Sequence, residues 1–351
     1  MRGVLELPPL EATTQLRAEH RCFLCGATNP AEGFSDEHVF QASIGGDLVA
    51  PDATCRRCNG ACSDAFEAKF LNSVKMLSHV LGIANRRGDV PSIDVTVRVD
   101  GRPFKGVLRA DGELEIRNKA EQQTEDGKLV KRYWLFTGEG FDQLQQKAAK
   151  RGERLVIEEP LGRDIELEPE SFMPLDFVNS LEAKRTAAKV ALTCVAAKLG
   201  QKFACSRAFD GVRDYIRKGE GTCARLFFNQ NFAAQTQAGP FQHLVILSCD
   251  ARKHTVYAIV MFFGTMTYLV QLSATYEGVD FGEQYAFDAR KREQVPVFAG
   301  HLENERLAVE DVLGGNTQFD DVIAVAENGA KIIQSAAAPR QISATVPRDH
   351  H

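Results

Sequence analysis

Apolar residues recur along this chain at two periods, and the change from one to the other divides it. From Asn59 through Leu81, Phe66, Phe70, Val74, Leu77 and Leu81 return at helical spacing, with Glu67, Lys69 and Lys75 among the polar positions. Residues three and four apart share one helix face, so the segment predicts an amphipathic helix. Asn85-Arg86-Arg87-Gly88-Asp89 reads as a linker. Beyond it the period falls to two. Ile93, Val95, Val97 and Val99 alternate with Asp94, Thr96 and Arg98, the pattern of a half-buried strand. Asp100-Gly101 and Asp111-Gly112 are hairpin-type turns. Leu114 and Ile116 alternate with charged neighbours, Leu129 to Phe136 predicts another strand, and Phe141 to Lys150 a short helix.

An Ala-rich stretch, Phe177 to Leu199, predicts a longer helix with Leu181, Ala188, Val190, Leu192 and Val195 facing a core. Arg207 to Lys218 predicts another. Apolar strands are expected at His243 to Ser248, Thr255 to Phe263 and Thr267 to Leu272. Ala336 to His351 is small and polar with two prolines and reads as a tail. The expected organisation is α+β: a compact N-terminal domain over 15–85, a mixed α/β region over 90–335 of open role, and a polar tail over 336–351.

Length and composition add bounds. A chain of 351 residues suits two domains, and 44% hydrophobic content is ordinary for a globular protein. A net charge of -5 argues against a wholly basic nucleic-acid binder, so any such contact would come from local patches. One candidate patch is Lys184, Arg185, Lys189, Lys198, Lys202, Arg207, Arg213, Arg217 and Lys218; a solvated basic helix face is the alternative. No apolar run is long enough to span a bilayer. Glu6, Pro8 and Pro9 interrupt the N-terminal segment, so no signal-peptide core is expected and a cytoplasmic location is the default.

Of nine cysteines, four form the pairs Cys22-Phe23-Leu24-Cys25 and Cys55-Arg56-Arg57-Cys58. Each pair turns two sulfurs toward one ion, and four thiolates suit tetrahedral structural Zn2+. Cys62, Cys194, Cys205, Cys223 and Cys249 are scattered and read as small core residues. A site closed by four cysteines does no chemistry itself.

Between the pairs lie Ser35-Asp36-Glu37-His38-Val39-Phe40 and Ile44-Gly45-Gly46, and Asn59 comes directly after the second pair. This order resembles the HNH endonuclease family, in the branch with two Cys-x-x-Cys knuckles around a Glu-His motif, over about Arg21 to Phe70. The resemblance implies a ββα-metal fold stapled by zinc. It implies that His38 is a general base and that Glu37 and Asn59 hold a catalytic divalent metal, Mg2+ or Mn2+. Asp52 stands as the candidate for the family's middle Asn, with Asp47 as the second candidate. The sequence departs from the family there, and again at Gln41, where a Pro is frequent.

Phosphodiester hydrolysis needs an activated water and neutralised charge at the phosphate. A neutral imidazole suits the first, and a hard divalent ion on a carboxylate and an amide oxygen suits the second. Adjacent strand residues point to opposite faces, so Glu37 and His38 would share a site only at an irregular strand end. Asn59 could equally be a helix N-cap. Two functional expectations result. One is a DNA endonuclease, acting on double-stranded DNA, whose C-terminal region places DNA or binds a protein partner or small-molecule regulator. The other is a non-catalytic zinc-binding module for nucleic acid or protein interaction.

Overall fold

A computed structural model of the chain describes residues 20–117, 119–125, 128–134, 138–151, 165–169, 175–226 and 241–296. The expected tail at 336–351 lies outside them. The first element is an antiparallel hairpin of β1 (Phe34–His38) and β2 (Val49–Cys55). Its ladder pairs Ser35 with Thr54 and Glu37 with Ala50, so a bulge falls between Ser35 and Glu37. Asp52 sits in that bulge with φ 50°. The connecting loop explains the Gly-Gly pair. Gly45 takes φ 92°, and a Cβ on Gly46 would come within 1.9 Å of the Phe40 carbonyl oxygen. Only glycine fits both places.

The predicted helix begins three residues before Asn59. It comprises α1 (Arg56–Cys62), a wide π turn at Ser63–Glu67 and α2 (Ala68–Leu81), ending on the left-handed Gly82. Cys55 rather than Asn59 is the N-cap, its sulfur accepting from the Cys58 N–H.

The strand at Ile93–Val99 (β3) pairs with β4 (Arg102–Leu108) across the Asp100-Gly101 turn, where both residues have positive φ. With β5 (Leu114–Ile116) on one side these form part of a four-stranded sheet. A hairpin of β6 (Lys119–Glu125) and β7 (Lys128–Trp134) comes next, then α3 (Gly138–Arg151). The sheet's fourth strand is β8 (Ile165–Pro169), beside β3. Its apolar side has a separate buried cluster of Ile93, Val95, Val97, Val99, Phe104 and Leu114.

The Ala-rich stretch is two helices, α4 (Leu175–Val178) and α5 (Leu181–Leu199). Ser180 divides them: its hydroxyl accepts from the Ala183 N–H and caps α5. Leu181, expected in the core, is therefore the first residue of a new helix and is exposed; Ala188, Val190, Leu192 and Val195 are buried as expected. After α6 (Gln201–Ala204) and α7 (Asp210–Lys218), five of the six strands of the second sheet run as β9 (Ala224–Leu226), β10 (Gln242–Asp250), β11 (Thr255–Phe262), β12 (Met266–Ser273) and β13 (Gly282–Asp288). The sixth, β14 (Glu293–Gln294), completes the order β14-β13-β10-β11-β12-β9.

The helix α5 is buried almost all round. One hydrophobic cluster joins it to Phe23, Phe40, Phe66 and Phe70 on one side and to Val245, Val260, Phe262 and Tyr285 of the six-stranded sheet on the other. The knuckle-bearing segment and the sheet therefore share a core. His243 is the polar joint within it. Its Nδ1 accepts from the Phe263 N–H, so Nε2 carries the proton and donates to the Ile44 carbonyl at 2.9 Å. Its ring stacks on Phe40 at 4.8 Å.

The four knuckle sulfurs converge, with ligand atoms all within 4.8 Å of one another. Cys25 and Cys55 sulfurs are 3.8 Å apart. Tetrahedral zinc with bonds of about 2.3 Å spaces its sulfurs by ~3.8 Å, so the cluster fits that ion. Burial pushes the Cys22 thiol up to about 11, and burial together with the Cys22 sulfur raises Cys58 as well. A cation among the sulfurs relieves that repulsion.

Both the staple and the shared core are open to test. Purified protein should hold one tightly bound zinc per chain, and Cys58→Ser should lose it and melt at lower temperature. Elemental analysis that finds a folded, zinc-free protein would rule the staple out. The second test concerns His243, whose pKa full burial lowers to about 4. An unfolded histidine titrates near ~6.5. Between those values the unfolded chain takes up a proton that the folded chain refuses, so stability falls as pH drops from about 6.5 to about 4. At ~1.36 kcal/mol per pH unit the loss is about 3 kcal/mol. Denaturant unfolding at pH 7 and pH 4 measures it, and His243→Gln should remove this component; an unchanged pH dependence in that variant refutes the assignment.

Candidate active site

His38 ends β1 and its ring is half-buried. Its Nδ1 is buried and has no hydrogen-bond partner among the described residues. Burial lowers the imidazole pKa below its ordinary value and Arg86 adds to this, while Asp36 and Asp47 pull the other way. The ring is therefore uncharged near neutral pH. Arg86 owes its place to the linker, which is a closed turn: Asn85 Oδ1 accepts the backbone N–H groups of Arg87 and Asp89.

The two candidates for the middle motif residue lie in different settings. The Asp52 backbone N–H donates to the Asp36 carboxylate at 3.1 Å, and its carbonyl accepts from Gln201 at 2.7 Å. Asp47 accepts the Tyr285 hydroxyl of β13 at 2.6 Å. Of the two, Asp47 is the one whose charge acts on His38.

Glu37, one residue before His38, points into different surroundings. It is buried, and its Oε1 lies 2.9 Å from the Nζ of Lys189 on α5. Lys189 Nζ is also 2.7 Å from Glu67 Oε2 and 3.4 Å from Asn59 Oδ1. The remaining carboxylate oxygens are taken as well. Thr54 donates to Glu37 Oε2 at 3.1 Å, and Gln41 donates to Glu67 Oε1 at 2.8 Å. Asn59 Nδ2 donates to the Ser35 hydroxyl, which is 3.2 Å from the Thr54 hydroxyl. Burial works against a charged Lys189, but Glu37 and Glu67 overcome it and hold its pKa above the ordinary lysine value. The π turn makes this meeting possible. It absorbs one extra residue, so Asn59 and Glu67, eight apart, come round to one helix face.

Glu37 and Asn59, the expected metal ligands, thus do converge on one cation, and it is an ammonium. A divalent ion would need the same oxygens and the same space, so the residues present do not fit one in this arrangement. Among the described residues, the four cysteines are the group of three or more His, Cys, Asp or Glu side chains close enough to bind a metal together.

Sequence reasoning placed Lys189 and Arg185 in a basic surface patch, and the structure corrects this. Both are buried, and Arg185 donates to the carbonyls of Ile216 and Arg217 at the end of α7. Lys202, Arg207, Arg217 and Lys218 remain exposed. The signal for a buried role was present: Lys189 lies inside an otherwise small and apolar helical run, where a lone charge needs a buried partner. Glu67, between Phe66 and Phe70 on the apolar side of its helix, was its counterpart. Nothing local marked Thr54, and Gln41 stands out in the sequence only as a departure from the family pattern.

No helix among the described residues is long and apolar enough to cross a membrane. No curated protein and no solved structure matches the chain. Residues 22–75 match the sequence profile of a family described as HNH endonuclease. That span holds both knuckles, the β1–β2 hairpin with Glu37 and His38, and the helix that begins at Arg56. Residues 22–75 of this chain are therefore similar to the HNH endonuclease family, and the same span holds the four-cysteine site.

Proposed function

We propose that the 22–75 segment hydrolyses phosphodiester bonds in DNA, with double-stranded DNA as substrate and His38 as general base. The observation that carries this is a half-buried, uncharged His38 on which the charges of Arg86, Asp36 and Asp47 act. A neutral imidazole that is only half-buried can accept a proton from an attacking water. His38 would draw a proton from this water, and Asp36 and Asp47 would stabilise the imidazolium that forms. Arg86 is the cation nearest in effect to His38 and suits a phosphate oxygen. Exposed Lys202, Arg207, Arg217 and Lys218 would add sequence-independent contacts to the DNA backbone. Mg2+ or Mn2+ on Glu37 and Asn59 has no part in this scheme while Lys189 fills that cluster.

A second reading is favoured by Lys189 itself. A cluster closed by an internal ammonium suits a zinc-stapled module that binds nucleic acid or protein without cutting it. Plasmid nicking by the full-length, zinc-loaded protein separates the two, run with and without Mg2+ or Mn2+. The nuclease reading expects cleavage that falls about 10²–10⁴-fold in His38→Ala, with an unchanged circular dichroism spectrum. Undiminished cleavage by folded His38→Ala removes His38 from the mechanism. Absence of wild-type cleavage under every metal condition, with DNA still bound, leaves the binding module.

A further inference from the structure

We propose that Lys189 is the resident cation of the Glu37–Glu67–Asn59 cluster and takes the place of a divalent metal ion there. An ammonium has three N–H donors and no acceptor. Lys189 has three oxygens around it, at 2.7, 2.9 and 3.4 Å, so its donors are matched one for one. The second oxygen of each carboxylate already accepts a hydrogen bond, from Thr54 or Gln41. Asn59 is oriented for the same purpose. Its Nδ2 donates to Ser35, so its Oδ1 faces Lys189.

A metal and this ammonium exclude each other. Divalent ions sit about 2.0–2.6 Å from oxygen ligands, inside the space the Nζ already fills, and like charges repel. The lysine has no easy retreat. Its side chain is 2% exposed, and its neighbours Ala187, Ala188, Val190 and Ala191 are buried on a helix packed at the centre of the shared core. With all three donors committed inside the protein, Lys189 has no open position for a phosphate or a water. The cluster is consequently a clamp between the 22–75 segment and α5, and Glu37, Glu67 and Asn59 are positioning residues. This inference does not depend on whether the protein cuts DNA.

Manganese binding to the full-length, zinc-loaded protein tests it by electron paramagnetic resonance, independently of any cleavage. Wild type and Glu37→Gln should give the same Mn2+ isotherm. A wild-type Mn2+ site that disappears in Glu37→Gln overturns the proposal, and this comparison needs no change at Lys189. Lys189→Ala leaves two carboxylates and an amide oxygen without their cation, a set suited to a hard divalent ion. That variant should gain one Mn2+ site per chain, and Mn2+ should raise its melting temperature but not that of wild type. The gained site should vanish in the Lys189→Ala, Glu37→Gln double variant. A folded Lys189→Ala protein that gains no Mn2+ site shows that Lys189 was not standing in a metal's place.

Discussion

A single charged amine, taken out of water near the middle of α5, sets conditions that much of the knuckle-bearing segment meets. Burying an ion carries a penalty of several kcal/mol even after relaxation, and only close, complete pairing offsets it. Lys189 obtains that pairing from three elements: Glu37 from β1, Asn59 from α1 and Glu67 from the π turn. Thr54 and Gln41 complete the carboxylates. Removing one partner from such a pair typically costs about 3–5 kcal/mol, because the other charge stays buried. The departure from the family pattern at Gln41 also finds its reason here, since a proline could not donate to Glu67.

The same hairpin serves two purposes because side chains alternate along a strand. Glu37 turns inward to the ammonium, and His38 remains half-exposed among Asp36, Asp47 and Arg86. The bulge beside Asp36 brings Asp52 round so that its backbone N–H reaches the Asp36 carboxylate. The four cysteines hold the ends of this arrangement, with Cys55 both ending β2 and capping α1. Structural residues and the proposed base are thus interleaved within a few positions.

The 22–75 segment also depends on the C-terminal sheet. Phe40 packs between His243, Phe262 and Tyr285, and Asp47 is bound by Tyr285. A Cβ on Gly45 would come within 2.9 Å of Ala289. These contacts make the six-stranded sheet and α5 a platform for the hairpin. The four-stranded sheet, in contrast, has a buried cluster of its own.

Local order was legible in the sequence. The helical spacing of Phe66 to Leu81, the alternation at Ile93–Val99, the paired cysteines and the Glu-His, Gly-Gly and Asn motifs all depend on residues close in the chain, so pattern alone marks them. The π turn, the restart of the helix at Leu181 and the strand at Gly282–Asp288 were not, because each is settled by packing or a cap. The site divides in the same way. Sequence singles out Glu37, His38 and Asn59 as candidates. Only the tertiary structure determined which cation Glu37 and Asn59 hold. Lys189 is 130 residues from Asn59, and its charge acts on these oxygens only once α5 is folded against the hairpin. Electrostatic energy falls with distance in space and is indifferent to separation along the chain, so the local signals at Lys189 and Glu67 could not name their partners.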